Sequence, residues 1–396
     1  MAALKFMLTE FPWNDRYRIS GAEDVLTPAL VLYPDIVASN IASTLRLLGG
    51  DATRWRAHIK TAKIGYTLRM LVERGVRNFK CATTLELKTA CENGAVDVLV
   101  AYPVMGANAR RVRELADQFP HVRISVLAEN TEQVRQWQGS RLGIFLDINP
   151  GMNRTGLEAT NGELLALVRE INAARLEFRG LHYYDGQFGG VEEAERSAAA
   201  HAGYDRLLEL VTGLRRSGTR IPEIITAGTP TLPCSLSYEP FRSGEFIHRV
   251  SPGTIVYCDA TCLAQLSPDY GYSPAVLVLA QVVSHPHDGI VTCDGGHKAV
   301  SADAGVPTCV VMGYPGIEPL SPSEEHLPIK TAGAMRTPEV GETLMLIPRH
   351  VCPTVNNFDS AVLVRDGRIE SVEKVSARGH EEPLLRAPAA SKYSRS

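Results

Sequence analysis

The feature that most constrains this chain is a repeated alternation of short apolar strands with amphipathic helical stretches across its first part. Ala29-Leu30-Val31-Leu32-Tyr33 reads as a strand, and Asp35 to Leu48 as the helix that follows it. Trp55 to Lys60 is the next strand, with a helix from Thr67 to Arg74 and Gly75 in the stop position. Asn78 to Ala82 comes third, and Thr83-x-x-Glu86 offers a capping box to the helix after it. Asp97 to Tyr102, Arg123 to Ala128, Gly143 to Ile148, Phe178 to Tyr184 and Glu223 to Gly228 complete the set, again with helical stretches between them. Eight parallel-type strands with crossovers in about 200 residues predict a closed (β/α)8 barrel, with chemistry at the C-terminal ends of its strands. A doubly wound open sheet is the alternative, but no Gly-x-Gly-x-x-Gly follows the first strand.

After residue 230 the texture changes to proline, glycine and short β-rich runs: Val276–Val283, Gly289–Cys293, Thr308–Met312, Thr343–Ile347 and Ser360–Arg365. An antiparallel β domain is expected there. The expected organisation is therefore an N-terminal segment over 1–26 packed with the β domain and a barrel over 27–258. The β domain follows over 259–379, and a polar, disordered tail over 380–396.

The 396 residues are 44% hydrophobic and 21% charged, with a net charge of −3, which suits a globular chain with a large core. That balance makes no electrostatic case for nucleic acid or for an anionic membrane surface. No apolar run approaches the length of a spanning helix, and the first residues reach Glu10 and Trp13 too soon for a secretion signal. Eight scattered cysteines without paired spacing read as reduced thiols, and the expected location is the cytoplasm.

Several clusters carry candidate chemistry. Arg56-Ala57-His58-Ile59-Lys60-Thr61-Ala62-Lys63 places lysines at the end of a strand-like run. A lysine there has a reason when its amine must bond a carbonyl group; a basic strand end in solvent is the competing reading. At the strand ends the candidates are Lys60, Tyr102, Arg154, Tyr184 and the loop after Thr226. Gly151-Met152-Asn153-Arg154-Thr155-Gly156 brackets an arginine suited to an anionic oxygen, or forms a surface turn. Thr226-Ala227-Gly228-Thr229-Pro230-Thr231 and Pro252-Gly253-Thr254 are turns that suit a phosphate or are simply tight. His350 and Cys352, two apart in an extended segment, share a face and can ligate one divalent ion; a core histidine beside a buried thiol competes. Asp294 to Ser301, with Asp303 behind, is a polar turn that lines a site or shapes a subunit contact, whereas Ser323-Glu324-Glu325-His326 reads as a solvated loop.

In this order and spacing the segments resemble the D-threonine aldolase family, whose relatives are eukaryotic-type D-serine dehydratases and, more distantly, alanine racemase. The resemblance runs from about Thr27 to Gly379. It is carried by His58-x-Lys60-Thr61, the Gly151–Gly156 turn, Gly180-Leu181-His182 with Asp185-Gly186, Ala227 to Thr231, Ser251 to Thr254, Gly296 to Val300 and His350-x-Cys352-Pro353-Thr354. It implies a pyridoxal-phosphate enzyme of fold type III with a barrel and a β domain. Lys60 would carry pyridoxal 5'-phosphate on its amine, Arg154 would face the phenolic oxygen, and His58, Thr226, Gly228, Thr229, Gly253 and Thr254 would surround the cofactor. Tyr184 would stand near cofactor and substrate. His350 and Cys352 would hold a divalent metal (Mn, Zn, Mg or Co), which lifts the metal reading above its competitor. Lys60, His350 and Tyr184 are the expected catalytic residues.

The implied activity is a metal-dependent lyase that cleaves a β-hydroxy D-amino acid to glycine and an aldehyde. Dehydration of the same class to a 2-oxo acid and ammonia is the alternative, and a non-catalytic cofactor-binding protein is a further one. The resemblance also implies a homodimer. The sequence departs from many relatives at Ala62, where a second histidine would stand, and at Gln187, where Asp-Gly-His would be read. Tyr183 is also bulkier than the small residue expected beside Tyr184.

Overall fold

A computed structural model describes residues 8–384. Two sheets organise it. The first strand, β1 (Ala29–Leu32), does not enter the barrel. It leads through α1 (Pro34–Leu47), which opens on a proline where no backbone donor is needed. The barrel strands follow as β2 (Arg56–His58), β3 (Asn78–Cys81), β4 (Asp97–Val100), β5 (Arg123–Ala128), β6 (Gly143–Ile148), β7 (Glu177–Tyr183), β8 (Glu223–Thr226) and β9 (Ile247–Val250). They are parallel neighbours in chain order, and a single parallel bridge between Trp55 and Val250 joins the two ends of the sheet. The result is a nearly closed eight-stranded barrel.

Its outer helices are α2 (Gly65–Glu73), α3 (Thr84–Glu92), α4 (Gly106–Gln118), α5 (Thr131–Arg135), α6 (Asn161–Ala173) and α7 (Glu193–Arg216). Thr83 caps α3 by accepting from the Glu86 amide, while the Glu86 carboxylate turns back to the Ala82 amide and to Lys63. Two short helices, α8 (Leu232–Ser237) and α9 (Ala260–Gln265), follow the last strands.

The second sheet is mostly antiparallel: β10 (Val276–His287), β11 (Ile290–Cys293), β12 (Cys309–Val311), β13 (Glu318–Pro319), β14 (Leu327–Lys330), β15 (Thr343–Pro348), β16 (Ser360–Arg365) and β17 (Arg368–Lys374), with α10 (Val351–Asn356) between β15 and β16. β1 lies between β10 and β16, antiparallel to the first and parallel to the second. The barrel count from sequence is thus corrected at both ends. Ala29–Leu32 belongs to the second sheet, and Ile247–Val250 supplies the missing barrel strand. An apolar run of four residues, three of them buried, fits either sheet, and periodicity does not separate the two. Residues ahead of β1 also touch this sheet: Ser20 bridges Arg368, and the Gly313 amide donates to the Phe11 carbonyl. Of the segment expected to be a tail, Glu381 pairs with Arg111 of α4 at 2.7 Å; residues 385–396 lie outside the described residues.

Inside the barrel the side chains form three levels. At the N-terminal ends of the strands Arg56, Asp97, Arg179, Glu223 and Arg249 make a buried ionic network. Above it Leu99, Leu127, Phe145 and Ile225 form an apolar plug, with Arg56 and Arg179 lying against the Phe145 ring. At the C-terminal ends a second polar level begins, and it forms the floor of a cavity.

Candidate active site

The cavity opens where the strand ends meet the second sheet. It measures about 310 Å³, a size that suits a cofactor-sized molecule. His58 and Lys60 enter from the end of β2, Tyr184 and Gly186 from β7, Gly228 and Thr229 from β8, and Ser251, Gly253 and Thr254 from β9. His350, Asp259 and Ala304 form the side toward the second sheet. A larger cavity of about 850 Å³ lies elsewhere, between α3, α4 and residues 380–384. It contains none of these groups, and Tyr102, a sequence candidate, lines it instead.

The walls are specific in where they use glycine. A Cβ at residue 253 would collide with the His58 carbonyl oxygen, so the β9 turn closes against the β2 end only with glycine there. A Cβ at residue 228 would stand 3.0 Å from the Tyr184 ring. The loop after β8 is tied to the loop after β7 through Asp185: Thr231 Oγ1 and Tyr204 OH donate to its two carboxylate oxygens at 2.6 and 2.5 Å. The Gly228 amide donates to Thr231 Oγ1. Burial pushes the Asp185 carboxyl up, against these bonds. Thr229 Oγ1, in contrast, is buried without any partner. An unsatisfied hydroxyl in a cavity wall is costly unless a ligand meets it.

Other sequence candidates sit apart. The Thr226 side chain turns away from the cavity to Ser235 and His248, at 2.5 and 2.8 Å. Arg154 lies on the far side of Tyr184, its guanidinium 5.1 Å from the ring centroid. Gln187 donates to the Pro150 carbonyl at 3.0 Å while its Oε1 is buried and unpartnered; Ala62 is buried.

His350 and Cys352 meet, though by another geometry than an extended segment. His350 is the last extended residue before α10, and Cys352 lies in the first helical turn. Asp303 accepts from His350 Nδ1 at 2.6 Å, so the polar turn around Asp303 reaches the site. Thr61 Oγ1 and Thr254 Oγ1 stand 2.9 and 3.6 Å from Cys352 Sγ. Burial alone would raise the Cys352 thiol pKa, but the hydrogen bond and charge of His350, then Lys60, bring it down. Burial likewise opposes a charged His350, yet Cys352, Asp303 and Asp259 push it up to about 9. A low thiol and an imidazole whose Nδ1 is held by a carboxylate are suitable donors for a borderline divalent ion. Among the described residues no group of three or more His, Cys, Asp or Glu side chains is arranged for a metal.

Sequence reasoning missed the cavity floor. Lys80, the third residue of β3, points inside the barrel and is 1% exposed. It donates to Ser251 Oγ at 2.5 Å, lies 3.4 Å from His182 Nε2, and sits 5.1 Å from the Tyr184 ring centroid. His182 Nδ1 is held by Asp147 at 2.7 Å, and Asp147 also accepts from Thr155 at 2.9 Å. Burial, then the charge of Lys60, bring Lys80 down to about 7. Burial pulls His182 and His58 down as well, so both imidazoles are neutral at neutral pH. The signal for Lys80 was present: a lysine inside an otherwise apolar strand needs the same explanation as Lys60.

The comparisons with known proteins agree with this architecture. The family model described as alanine racemase, N-terminal domain, matches residues 34–261, and the putative serine dehydratase domain matches 275–364. D-threonine aldolase of Arthrobacter sp. is 26% identical over 89% of this chain and 93% of its own length. 3-Hydroxy-D-aspartate aldolase of Paracoccus denitrificans is 26% identical over 90% of this chain and 93% of its own. D-threo-3-hydroxyaspartate dehydratase of Delftia sp. is 22% identical over 88% and 97%. The crystal structure of D-threonine aldolase from Filomicrobium marinum superposes with a TM-score of 0.82 at 26% identity, covering 91% of this chain and 98% of that one. The chain belongs to the family described by the alanine racemase N-terminal domain, and D-threonine aldolases are among its homologues.

Proposed function

We propose that this protein is a pyridoxal-phosphate-dependent lyase that acts on a β-hydroxy D-amino acid, assisted by a divalent metal. The observation that carries the reading is one cavity into which a lysine, a glycine-lined cradle with an unpartnered threonine hydroxyl, and His350, with Cys352 buried beside it, all come together. Pyridoxal phosphate, when bound, supplies the electron sink that lets a bond at the amino acid's Cα break. Lys60 would carry it, and Gly228, Thr229, Gly253 and Thr254 would hold the phosphate, with Thr229 Oγ1 gaining its missing partner. Tyr184 lines the cavity, and Arg154 and Lys80 each lie 5.1 Å from its ring centroid.

The pair His350 and Cys352 would hold the metal, with Asp303 orienting the imidazole. A divalent ion held by them would supply Lewis-acid chemistry toward a substrate β-hydroxyl, favouring either its ionisation or its departure. The first route is retro-aldol cleavage to glycine and an aldehyde; the second is dehydration to a 2-oxo acid and ammonia. The cavity suits either, and relatives named for each reaction match over most of their length. We favour retro-aldol cleavage because the aldolases are the relatives of higher identity.

The test is product analysis with D-threonine and D-3-hydroxyaspartate, pyridoxal phosphate and Mn²⁺, beside a chelator-treated control. Glycine plus the aldehyde, lost on chelation, is the expected result. A 2-oxo acid and ammonia would make the protein a dehydratase with the same site. Equal turnover with and without chelator would remove the metal from the reading, and no turnover with either substrate would redirect the search to bulkier side chains.

A further inference from the structure

Lys80 is the feature of the barrel interior that the proposed chemistry does not use. Its surroundings are those of an isolated charge. Among the ion pairs of the described residues none includes Lys80, although the barrel's other interior cations, Arg56 and Arg179, each meet a carboxylate. Its donors go to a serine hydroxyl and to an imidazole. Ser251 spends its own proton on the Ala227 carbonyl at 2.8 Å, so toward Lys80 it is an acceptor. Asp147 fixes the His182 proton on Nδ1, so Nε2 is an acceptor too. Both neighbours therefore orient the amine without neutralising it. The facing titratable groups are Lys60 and His58 at the end of β2, Asp147 and Arg154 from β6 and its turn, and His182, Tyr184 and Asp185 from β7. Two of the residues that Lys80 meets, Ser251 and Tyr184, line the cavity.

We propose that Lys80 is a positioning residue for the cofactor: held under the cavity floor by Ser251 and His182, its amine sets the protonation state of the pyridoxal group carried by Lys60. The proposal rests on the reading of Lys60 as the cofactor's anchor. The physical basis is that two cations in one water-poor site disfavour each other. A proton on the nitrogen that joins Lys60 to the cofactor is harder to hold while Lys80 is charged, and the two groups titrate as a coupled pair. Burial places the Lys80 transition near neutral pH, within the working range of such a site.

The experiment is a pH titration of the long-wavelength absorbance of the cofactor-loaded full chain, in the wild type, Lys80→Met and Ser251→Ala. Methionine keeps the length of the side chain and removes the charge. The expected result is that the midpoint rises by about one unit or more in Lys80→Met. It should rise by less in Ser251→Ala, which keeps the amine but takes away its closest acceptor. An unchanged midpoint in a folded, loaded Lys80→Met protein overturns the proposal, as does a wild-type spectrum that is flat between pH 6 and 10. Should Lys80→Met fail to fold or load, Ser251→Ala decides: no shift there overturns the proposal as well. Lys60→Ala, run in parallel, separates the two claims. If its long-wavelength band persists, the anchor assignment fails; if the band is lost while Lys80→Met leaves the wild-type midpoint untouched, only the role of Lys80 fails.

Discussion

The two ends of the barrel interior bury charge for opposite purposes. At the N-terminal end Arg56 donates to Asp97 at 2.8 Å and to Glu223 at 3.0 Å, and Arg179 donates to Asp97 at 2.6 Å. Burial opposes the ionised Asp97, but Arg56 and Arg179 override it and hold the carboxyl well below the usual range. Asp97 and Arg56 are each held in their charged form by the other. At the C-terminal end, beyond the plug of Leu99, Leu127, Phe145 and Ile225, Lys80 is just as deeply buried, yet its partners are neutral. Desolvation then has no carboxylate contact to offset it, and the amine titrates near neutral pH. Equal burial gives a staple at one end and a titrating group at the other. The difference lies in whether a carboxylate is within hydrogen-bond reach.

The largest expected effects dissociate the two ends. Lys60→Ala should reduce turnover by on the order of 10³-fold or more and abolish the long-wavelength absorbance, with little change in thermal stability. Asp97→Ala should do the reverse. It leaves Arg56 and Arg179 in the barrel without their shared carboxylate, at a cost of about 3–5 kcal/mol in urea unfolding, with the cofactor spectrum intact wherever the variant is folded. The pH dependence has a defined sign. Asp97 is depressed on folding, so its stabilisation is present above the ordinary carboxylate value of 3.8 and is lost as the pH falls through the folded value. An Asp97→Ala protein of unchanged stability, or one that loses the cofactor band while folded, would erase the distinction between the ends.

Lys80→Met sharpens the contrast because its effect on stability should run the other way. Lys80 falls from 10.5 to about 7 on folding, so between those values the unfolded chain binds a proton that the folded chain does not. Stability conferred at this position therefore rises with pH across that window, and the cost of burying the charge is fully present below it. Replacing the lysine with methionine removes the cost. Relative to wild type, the variant should lose about 3 kcal/mol of its advantage between pH 6.5 and pH 9.5, read from paired urea titrations. A difference that stays constant with pH would mean that Lys80 keeps one charge throughout.

Much of this architecture is legible in the sequence, and what escapes does so for physical reasons. Seven of the barrel strands and five strands of the second sheet announce themselves by apolar runs between turn residues, whereas the short or charged strands β13, β14 and β17 do not. Ile247–Val250 does not, because His248 and Arg249 fill half of it. His248 stacks on Phe241 at 4.2 Å and meets Thr226, and Arg249 reaches Glu223, all partners supplied from elsewhere in the barrel. Strand β1 is a buried apolar run of the right length, and only pairing with β10 and β16 assigns it to the other sheet. At the site, Lys60, Tyr184, Gly253 and the His350–Cys352 pair stand out by residue type and position. Lys80 carried a signal, a lysine inside an apolar strand, whereas the contacts of Ser251 and Asp259 emerge only once the strands are closed, since each works through a neighbour remote in sequence. Thr226 looked like a cradle residue, but its hydroxyl is drawn to Ser235 and His248 instead.

The smallest expected effect concerns the position where many relatives carry a histidine. Gln187 is tied to the Pro150 carbonyl, next to the turn that bears Arg154, and does not line the cavity, although Gly186 and Gly189 beside it do. An imidazole there would need a shift of the local chain to reach a substrate. General acid–base catalysis by a well-placed group contributes about 10²–10⁴-fold. Because residue 187 does not line the cavity, Gln187→His should add far less, about tenfold or below in kcat, with the cofactor band unchanged. Steady-state rates with D-threonine between pH 6 and 8 measure it. A gain of a hundredfold, with a new pH dependence centred near the ordinary histidine value, would show that residue 187 faces the reacting atoms. A small, pH-independent change would leave proton handling with the residues at the strand ends.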